Sequence, residues 1–402
     1  MRADHLNLRH LRAFAAVCEH RGISRAAQDI HLSQPALTQA MSKLERNFGT
    51  RLFERGNKGM FPTAAGEILG GRVRRAFDLL ANVSNRRDRM RGGLSQVVTS
   101  TQLRALIAVA KHGNFSVAAR AEQVSQPSLH RAARDLEALT GVPLFTKSAQ
   151  GIALTLPAKA LLLNACLAFS ELDHAIEEIG ETRGAEAGAL RVGSLPLSLG
   201  TILPRALNNV TGQRPNLRAT VMDAPFAELL FALRHGEIDL ILGALRNPAP
   251  APDVVQDRLF DDRLCIVCRP GHPLLPAASP DRAELARHPW VVARPNTPTR
   301  RHFDKFFKDF PLSEHGPLIA SNSMILVRQL LQGSDRLSMI SRTQAEEHLR
   351  AGTLALLPID LGDTPREIGV TYRAAWQPTP AQADFLRSLR KVAEDTGRAA
   401  AP

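Results

Sequence analysis

Residues 33–45 read Ser33-Gln34-Pro35-Ala36-Leu37-Thr38-Gln39-Ala40-Met41-Ser42-Lys43-Leu44-Glu45, and 92 positions later the chain reads Ser125-Gln126-Pro127-Ser128-Leu129-His130-Arg131-Ala132-Ala133-Arg134-Asp135-Leu136-Glu137. Leu11-Arg12-Ala13 returns as Leu103-Arg104-Ala105, Leu52-Phe53 as Leu144-Phe145, and Thr63 as Thr155, all at that same offset without a gap. Chance does not hold one register over so long a stretch. The chain opens with one unit written twice.

In the first copy, Leu37, Met41, Leu44 and Phe48 recur at helical spacing and predict one buried face. Ser33 is placed to cap this helix, and Pro35 fits its first turn, where an amide has no intrahelical partner. Gln34, Thr38, Gln39 and Ser42 share the opposite face, which is polar and uncharged. Such side chains carry both donors and acceptors, as reading base edges in a major groove requires. Upstream, Leu11, Phe14, Val17 and Cys18 predict an amphipathic helix that Gly22-Ile23-Ser24 breaks. Ser24 is expected to cap a short second helix carrying Ala26, Ala27 and Ile30. Downstream, residues 51–59 predict a β-wing with Arg55 and Lys58 at its basic tip, placed to neutralise phosphates. Pro62-Thr63 then opens a long helix, about 64–90, with the apolar stripe Leu69, Val73, Phe77, Leu80 and Val83.

Charge and composition agree with a localised binding head. The 402 residues are 44% hydrophobic and 22% charged, enough for several cores, with a net charge of +12. Residues 1–95 carry 17 Lys and Arg against 8 Asp and Glu, a net of +9. Residues 96–186 come to −1 and residues 187–402 to +4, so the basicity belongs to the first copy. A polyanion, nucleic acid before membrane, is the implied partner. No apolar run is long enough to span a bilayer, and the opening residues lack the apolar core of a signal peptide. Cys18, Cys166, Cys265 and Cys268 show no framework spacing, which reads as a reduced, cytoplasmic compartment.

Residues 6–67 resemble the winged helix-turn-helix of LysR-type transcriptional regulators. The resemblance rests on Ser24-Arg25-Ala26-Ala27, Ser33 to Thr38, Leu44-Glu45, Leu52-Phe53-Glu54-Arg55 and Pro62-Thr63-Ala64-Ala65-Gly66. It implies a recognition helix near 34–47 and a linker helix at 64–90 that mediates dimer contacts. It also implies double-stranded DNA as target, RNA polymerase as a contact and a homo-oligomer. The departure is the duplication, because the usual family member carries one such module.

The second copy keeps Ser116, Ala118, Ala119, Ser125-Gln126-Pro127 and Leu144-Phe145 but changes its outer face. His130, Arg131 and Arg134 replace Thr38, Gln39 and Ser42; Lys147 stands for Arg55, and Gln150 replaces Lys58. Two readings stand: a second DNA reader of altered specificity, or a structural copy that pairs with the first. The first long helix is expected to expose Arg72, Arg74, Arg75, Arg86, Arg87 and Arg89. The second, about 157–181, is expected to expose Glu171, Asp173, Glu177, Glu178 and Glu181. Complementary charge and matched apolar stripes predict that the two helices pack within one chain.

From about 187, strand-like runs alternate with helical patterns, which predicts an α/β domain with largely parallel sheets. Strands are expected near 190–193, 219–222, 238–245, 290–292, 318–320 and 337–340, and at 368–372, which crosses back to the first lobe. The expected architecture is α plus α/β: modules at 1–91 and 92–186, then a two-lobed effector domain at 187–402. Lobe I takes about 187–265 and 368–402, lobe II about 266–367, in an arrangement that resembles a periplasmic-binding-protein hinge. A small effector, a carboxylate or a polyol, would sit outside the strand ends. Ser194, Ser198, Asn296, Thr297, Ser321, Asn322 and Ser323 are the candidate contacts, or else simple helix caps. Arg246 is placed either for an anionic ligand or for a lobe-to-lobe salt bridge.

Cys265 and Cys268 have metal-like spacing, but on one strand they point to opposite faces and read as buried thiols. No P-loop, dinucleotide glycine pattern, nucleophile elbow or HExxH motif occurs, so neither catalysis, metal nor cofactor is expected. The expectation is a sequence-specific DNA-binding regulator whose effector closes the cleft and alters the DNA bend. A carrier would need no basic head, and a purely architectural protein would show no sequence preference.

Overall fold

The first helix, α1 (Leu8–His20), starts where the Asn7 side chain accepts the Arg9 amide, and ends at Arg21 in the left-handed region. It is followed by α2 (Ile23–Asp29), α3 (Gln34–Phe48), the hairpin β1 (Phe53–Gly56) and β2 (Gly59–Pro62), and α4 (Ala64–Ala81). After α5 (Leu94–Val97) the same order returns as α6 (Ser100–His112), α7 (Phe115–Ala121), α8 (Gln126–Thr140), β3 (Phe145–Ser148), β4 (Gly151–Leu154) and α9 (Leu156–Thr182). This computed structural model describes residues 3–56, 59–81, 93–149, 151–184, 188–276, 280–310, 318–362, 364 and 366–399. The expected helix over 82–90 lies outside them. One unit is built from the chain up to Ala189 with Asn216–Arg218 and Arg234–Glu237; the other holds the remainder.

The repeat extends to individual hydrogen bonds. The Glu45 carboxylate accepts the Leu52 amide at 2.9 Å, and Glu137 accepts the Leu144 amide at 2.8 Å. Thr63 Oγ1 donates to the Arg51 carbonyl and Thr155 Oγ1 to the Pro143 carbonyl, both at 2.8 Å. Each hairpin is tied to the end of its own first helix: Met60 N donates to Arg21 O at 3.0 Å, and Ile152 N to Gly113 O at 2.7 Å. Gly59 and Gly151, with φ of 129° and 122°, permit this approach, since a Cβ at either would strike that same carbonyl oxygen. Ser33 and Ser125 cap α3 and α8 as expected. Ser24 does not cap α2: the helix starts two residues earlier than such a cap would set it, with Gly22 at the N-cap and no side-chain cap bond. Asn114, 92 residues on, does cap α7, accepting from Ser116 N and Val117 N.

The helices α4 and α9 pack on each other, as their stripes predict. Leu69, Val73, Ala76 and Leu80 share one core with Leu161, Ala165, Leu172 and Ala175. Several charges expected on the surface are instead inside this contact. Arg72 is 3% exposed, its Nη1 2.9 Å from Glu171 and its Nε 2.9 Å from Glu178. Arg75 Nε adds a 2.8 Å bond to Glu171, and Glu177 is buried as well. Burial pushes the Glu171 carboxyl up, but Arg72 and the bonds from Arg75 and Arg72 outweigh it, and the net displacement is downward.

The second unit has two five-stranded sheets. Its first lobe takes β5 (Ala189–Ser194), α10 (Pro196–Leu199), α11 (Ile202–Gln213), β6 (Arg218–Asp223), α12 (Phe226–Arg234), β7 (Leu240–Ala244) and β8 (Val254–Asp262). The chain then crosses to β9 (Leu264–Cys268), α13 (Arg282–Ala286), β10 (Trp290–Val292), α14 (Pro298–Phe306), β11 (Ile319–Ala320), α15 (Met324–Gln332), β12 (Leu337–Ser341), α16 (Arg342–Arg350) and β13 (Ala355–Leu357). It returns through β14 (Arg366–Arg373) to α17 (Pro380–Ala399). The sheet orders are β6-β5-β7-β14-β8 and β11-β10-β12-β9-β13.

These sheets are mixed rather than largely parallel. The β5–β7, β10–β11 and β10–β12 pairs are parallel, whereas β14 runs antiparallel to β7 and β8, and β9 to β12 and β13. The reason is the double crossing: β8 passes into β9 at Arg263, and β14 comes back against the grain. The crossing therefore falls a few residues earlier than the sequence suggested, with Leu264–Cys268 already in the second sheet. Strand β9 is buried on both faces, Leu264, Ile266 and Cys268 against Trp290 and Phe303, Cys265 and Val267 against Val327 and Leu331. Its thiols are pushed up by burial, Cys265 to about 12 and Cys268 to about 11. Among the described residues no helix is long and apolar enough to cross a membrane.

Candidate DNA interface and ligand cleft

Helix α3 buries Leu37, Ala40, Met41, Leu44 and Phe48 and turns Gln34, Pro35, Gln39 and Ser42 to solvent, with Thr38 half-buried. Ser33 is exposed at its start, its hydroxyl accepting the Ala36 amide. The outer face therefore presents amides and hydroxyls on a helix held by its other side, the geometry that groove reading needs. Lys43 and Arg46 are exposed on it too, one and two turns past Gln39. Sequence reasoning passed over both, though their spacing from Gln39 signals the shared face. Arg55 lies in β1, opposite Met60. Its side chain and Lys58 fall outside the described residues.

Helix α8 buries Leu129, Ala132, Ala133 and Leu136 and exposes His130, Arg131 and Arg134. The His130 ring lies tilted against Phe115 at 5.0 Å, and Arg134 lies 3.6 Å from Glu137. Both are thus partly occupied within the protein. Arg131 makes no ion pair among the described residues. Asp135 stands where the first copy has Lys43, and Gln150 lies outside the described residues.

In the second unit the candidate ligand residues lie at strand ends and in the segments that follow them, Ser194, Ser198 and Arg246 in the first lobe and the others in the second. Ser194 ends β5, wholly buried, its hydroxyl donating to the Leu195 carbonyl. Ser198, in α10, is also wholly buried, and its hydroxyl has no hydrogen-bond partner among the described residues. Helix α10 in turn contacts α16 of the opposite lobe. In the second lobe, Thr297 caps α14 and Ser323 caps α15, while Asn322 Oδ1 accepts the Arg294 amide at 2.9 Å. Ser321 Oγ accepts the Ser323 amide at 3.1 Å, and Asn296 holds a φ of 63°. These groups order two adjacent loops; Thr297 Oγ1 also donates to the Arg294 carbonyl at 2.8 Å, while capping leaves the Ser321 and Ser323 hydroxyl hydrogens free to donate.

Arg246 makes no lobe-to-lobe salt bridge among the described residues. Its backbone is clasped by the Gln256 side chain at 2.9 and 2.8 Å, and its guanidinium lies 4.4 Å over the Phe226 ring. Burial, then Arg301 and Arg366, lower its pKa. Arg301, His302 and Arg366 were not foreseen. Beside them Asp262 is buried, accepting from Ser341 Oγ, Thr343 Oγ1 and Thr343 N, with Arg366 Nη1 3.5 Å away.

A winged-helix unit with an exposed polar helix face, followed along the chain by a two-lobed α/β unit, is the build of a DNA-binding regulator. The model of the bacterial regulatory helix-turn-helix protein, lysR family, matches residues 8–67 and 100–159, and that of the LysR substrate binding domain matches 183–394. The HTH-type transcriptional regulator GalR of Pseudomonas putida is 31% identical over 387 residues, covering 96% of this chain and 97% of that protein. PcaQ of Agrobacterium fabrum is 26% identical over 305 residues, 75% of this chain and 96% of that one. The solved structure of CbnR, a LysR family transcriptional regulator, covers 73% of this chain and 98% of its own at 22% identity and a TM-score of 0.50. The chain belongs to the LysR family. It is a DNA-binding transcription regulator with a substrate-binding domain, and not an enzyme.

Proposed function

We infer that one chain supplies two winged helix-turn-helix modules, over 1–91 and 92–186, and so acts as a covalent pseudo-dimer on its operator. The first module reads bases through Gln34, Thr38, Gln39 and Ser42, with Ser33, Pro35, Arg55 and Lys58 at the backbone. The second is a weaker reader through His130, Arg131 and Arg134. The observation that carries this is the asymmetry of the α4–α9 contact. Arg72 is buried between Glu171 and Glu178; 92 residues after Arg72 stands Asn164, and 92 before the two acids stand Leu79 and Arg86. Two copies of the first helix would set Arg72 against Leu79 and Arg86, stranding a buried charge. Two copies of the second would leave both acids facing Asn164. The unlike pair is the one in which Arg72 and both of these acids find partners.

Two matches of the helix-turn-helix model at the 92-residue offset support the same reading. So does the PcaQ alignment, which takes up nearly all of that protein and leaves a quarter of this chain over. A small effector held by Ser194, Ser198, Arg246, Asn296, Thr297, Ser321, Asn322 and Ser323 closes the periplasmic-binding-protein-like cleft and resets the DNA bend. The protein works in the cytoplasm, contacts RNA polymerase and assembles further through its ligand domains. Stoichiometric titration of the full chain on its own upstream DNA, read by footprinting, tests the pseudo-dimer. One chain should protect two unequal half-sites; two chains for each such pair overturn the reading.

A further inference from the structure

One side chain of the helix pair reaches the first reader itself. Arg183 is the C-cap of α9, and its Nη1 donates at 2.6 Å to the carbonyl of Phe48, the last residue of α3. The guanidinium also spreads over Gly49, the left-handed cap of α3: a Cβ there would meet Nη1 at 2.7 Å and Nη2 at 2.9 Å. The final carbonyls of a helix have no intrahelical donor and carry partial negative charge, so a guanidinium suits them both as donor and as cation. At Gly141, the corresponding cap of α8, nothing among the described residues lies within 4 Å of the Cβ position. Arg91, 92 positions before Arg183, falls outside the described residues.

The bond joins the two copies, since α3 belongs to the first and α9 to the second. Two other bonds between the copies are made on their first helices: Arg12 Nε, on α1, donates to the Ser95 carbonyl at 2.6 Å, and Ser100 Oγ, on α6, to the Leu6 carbonyl. Those hold α1 and α6; Arg183 holds the reading helix. Nine residues of helix, about 14 Å, separate Phe48 from Gln39, so a tilt of about 4° at that end moves the Gln39 backbone by about 1 Å. A shift of that size takes a hydrogen bond from good geometry to none. Resting on the pseudo-dimer reading above, we propose that Arg183 is a positioning residue for DNA recognition: by holding the end of α3 to α9 it fixes the first reader relative to the second, and so makes the protein selective for the spacing between its two half-sites. In this role Arg183 acts through α3 rather than on a base or a phosphate. Without it each reader keeps its own sequence preference, and the geometry between the readers slackens.

The test is competition binding of the full-length protein on its footprinted upstream DNA, against duplexes with one base pair added or removed between the half-sites. Such a change moves one half-site by about 3.4 Å along the duplex and by about a tenth of a turn around it. The unaltered protein should lose at least tenfold in affinity, and in Arg183→Gln that penalty should shrink at least threefold. Arg183→Lys, which keeps a charged donor, should fall between the two. The salt slope on the natural spacing should be the same in Arg183→Gln, whereas loss of a direct phosphate contact would lower it by about 0.9. In hydrogen exchange without DNA, Arg183→Gln should speed the amides of 46–50 at least threefold and leave those of 138–142 as they were. A spacing penalty that Arg183→Gln leaves unchanged, a wild-type protein indifferent to spacing, or a slope lowered by one contact overturns the proposal. Two chains on each pair of half-sites would sink the pseudo-dimer reading; one chain per pair with an unchanged penalty in Arg183→Gln sinks the role of Arg183 alone.

Discussion

The first and second copies share their helix-cap and hairpin hydrogen bonds at Ser33, Glu45 and Thr63 and differ over much of what faces solvent. Glu45 and Glu137, Thr63 and Thr155, and Gly59 and Gly151 do identical work 92 residues apart. On the outer face of the third helix, Thr38, Gln39, Ser42 and Lys43 have become His130, Arg131, Arg134 and Asp135. The interior changes by volume, with Met41 becoming Ala133 and Phe14 becoming Leu106. What the comparison teaches is which positions hold the unit together. They are a handful of capping and turn contacts whose loss no neighbour can make good, whereas the exposed face is free to acquire another chemistry.

The sharpest way to break the comparison is at the helix pair. Arg72→Ala should cost about 3–5 kcal/mol, because it leaves Glu171 and Glu178 buried and unpaired. Asn164→Ala, the same position in the second copy, should stay within about 0.5 kcal/mol. Urea unfolding of the first transition reads both, and equal effects would mean the two helices are equivalent after all. The pH dependence has a definite sign. The Glu171 pKa is lowered in the folded state, so its contribution is present above the ordinary carboxylate value and is lost as pH falls through the lowered one. Arg72→Ala should flatten that acid limb.

Next in size are the two hairpin glycines. Gly59→Ala and Gly151→Ala both force a Cβ onto a carbonyl oxygen at positive φ, and each should cost about 1–3 kcal/mol. Similar losses in thermal melts would show that the copies share one hairpin seat; a neutral Gly151→Ala would show that the second no longer depends on it. The readers should differ more. Alanine at both Thr38 and Gln39 should remove about 1–3 kcal/mol of discrimination per base contact in competition binding. Alanine at both His130 and Arg131 should chiefly lower the salt slope, by about one phosphate contact. The smallest effect is a cap exchange. Gly22→Asn, which copies the Asn114 cap of the second unit, should add a few tenths of a kcal/mol.

Much of the first unit was legible because its signals are local. Apolar spacing marked α1, α3 and α4, and Ser33 and Ser125 sit where caps were expected. Gly22 displaced Ser24 because the backbone, not the side chain, decides where a weakly capped helix begins. The burial of Arg72 and Glu171 could not be read from either helix alone, since each looks like a solvated charge until the other covers it. Strand β8 was missed because, at the edge of its sheet, its apolar pairs Val254-Val255 and Leu259-Phe260 are separated by Gln256, Asp257 and Arg258. The crossing strands hid the antiparallel pairs for the same nonlocal reason. The serines and asparagines proposed for the ligand do sit at or after the strand ends where the sequence placed them. Arg366 was not foreseen, because only the pairing of β14 with β7, which sets Ile368 opposite Ala244, brings it towards Arg246.

The contact between α4 and α9 has a consequence for how the protein behaves when scarce. A helix pair shared by two chains obeys mass action, so it comes apart on dilution, and its occupancy depends on how many copies are made. Here both helices belong to one chain, and their pairing is an intramolecular equilibrium with an effective concentration set by the connecting residues. Dilution cannot separate them. The spacing between the two outer faces is then a property of each molecule, present in the first copy synthesised.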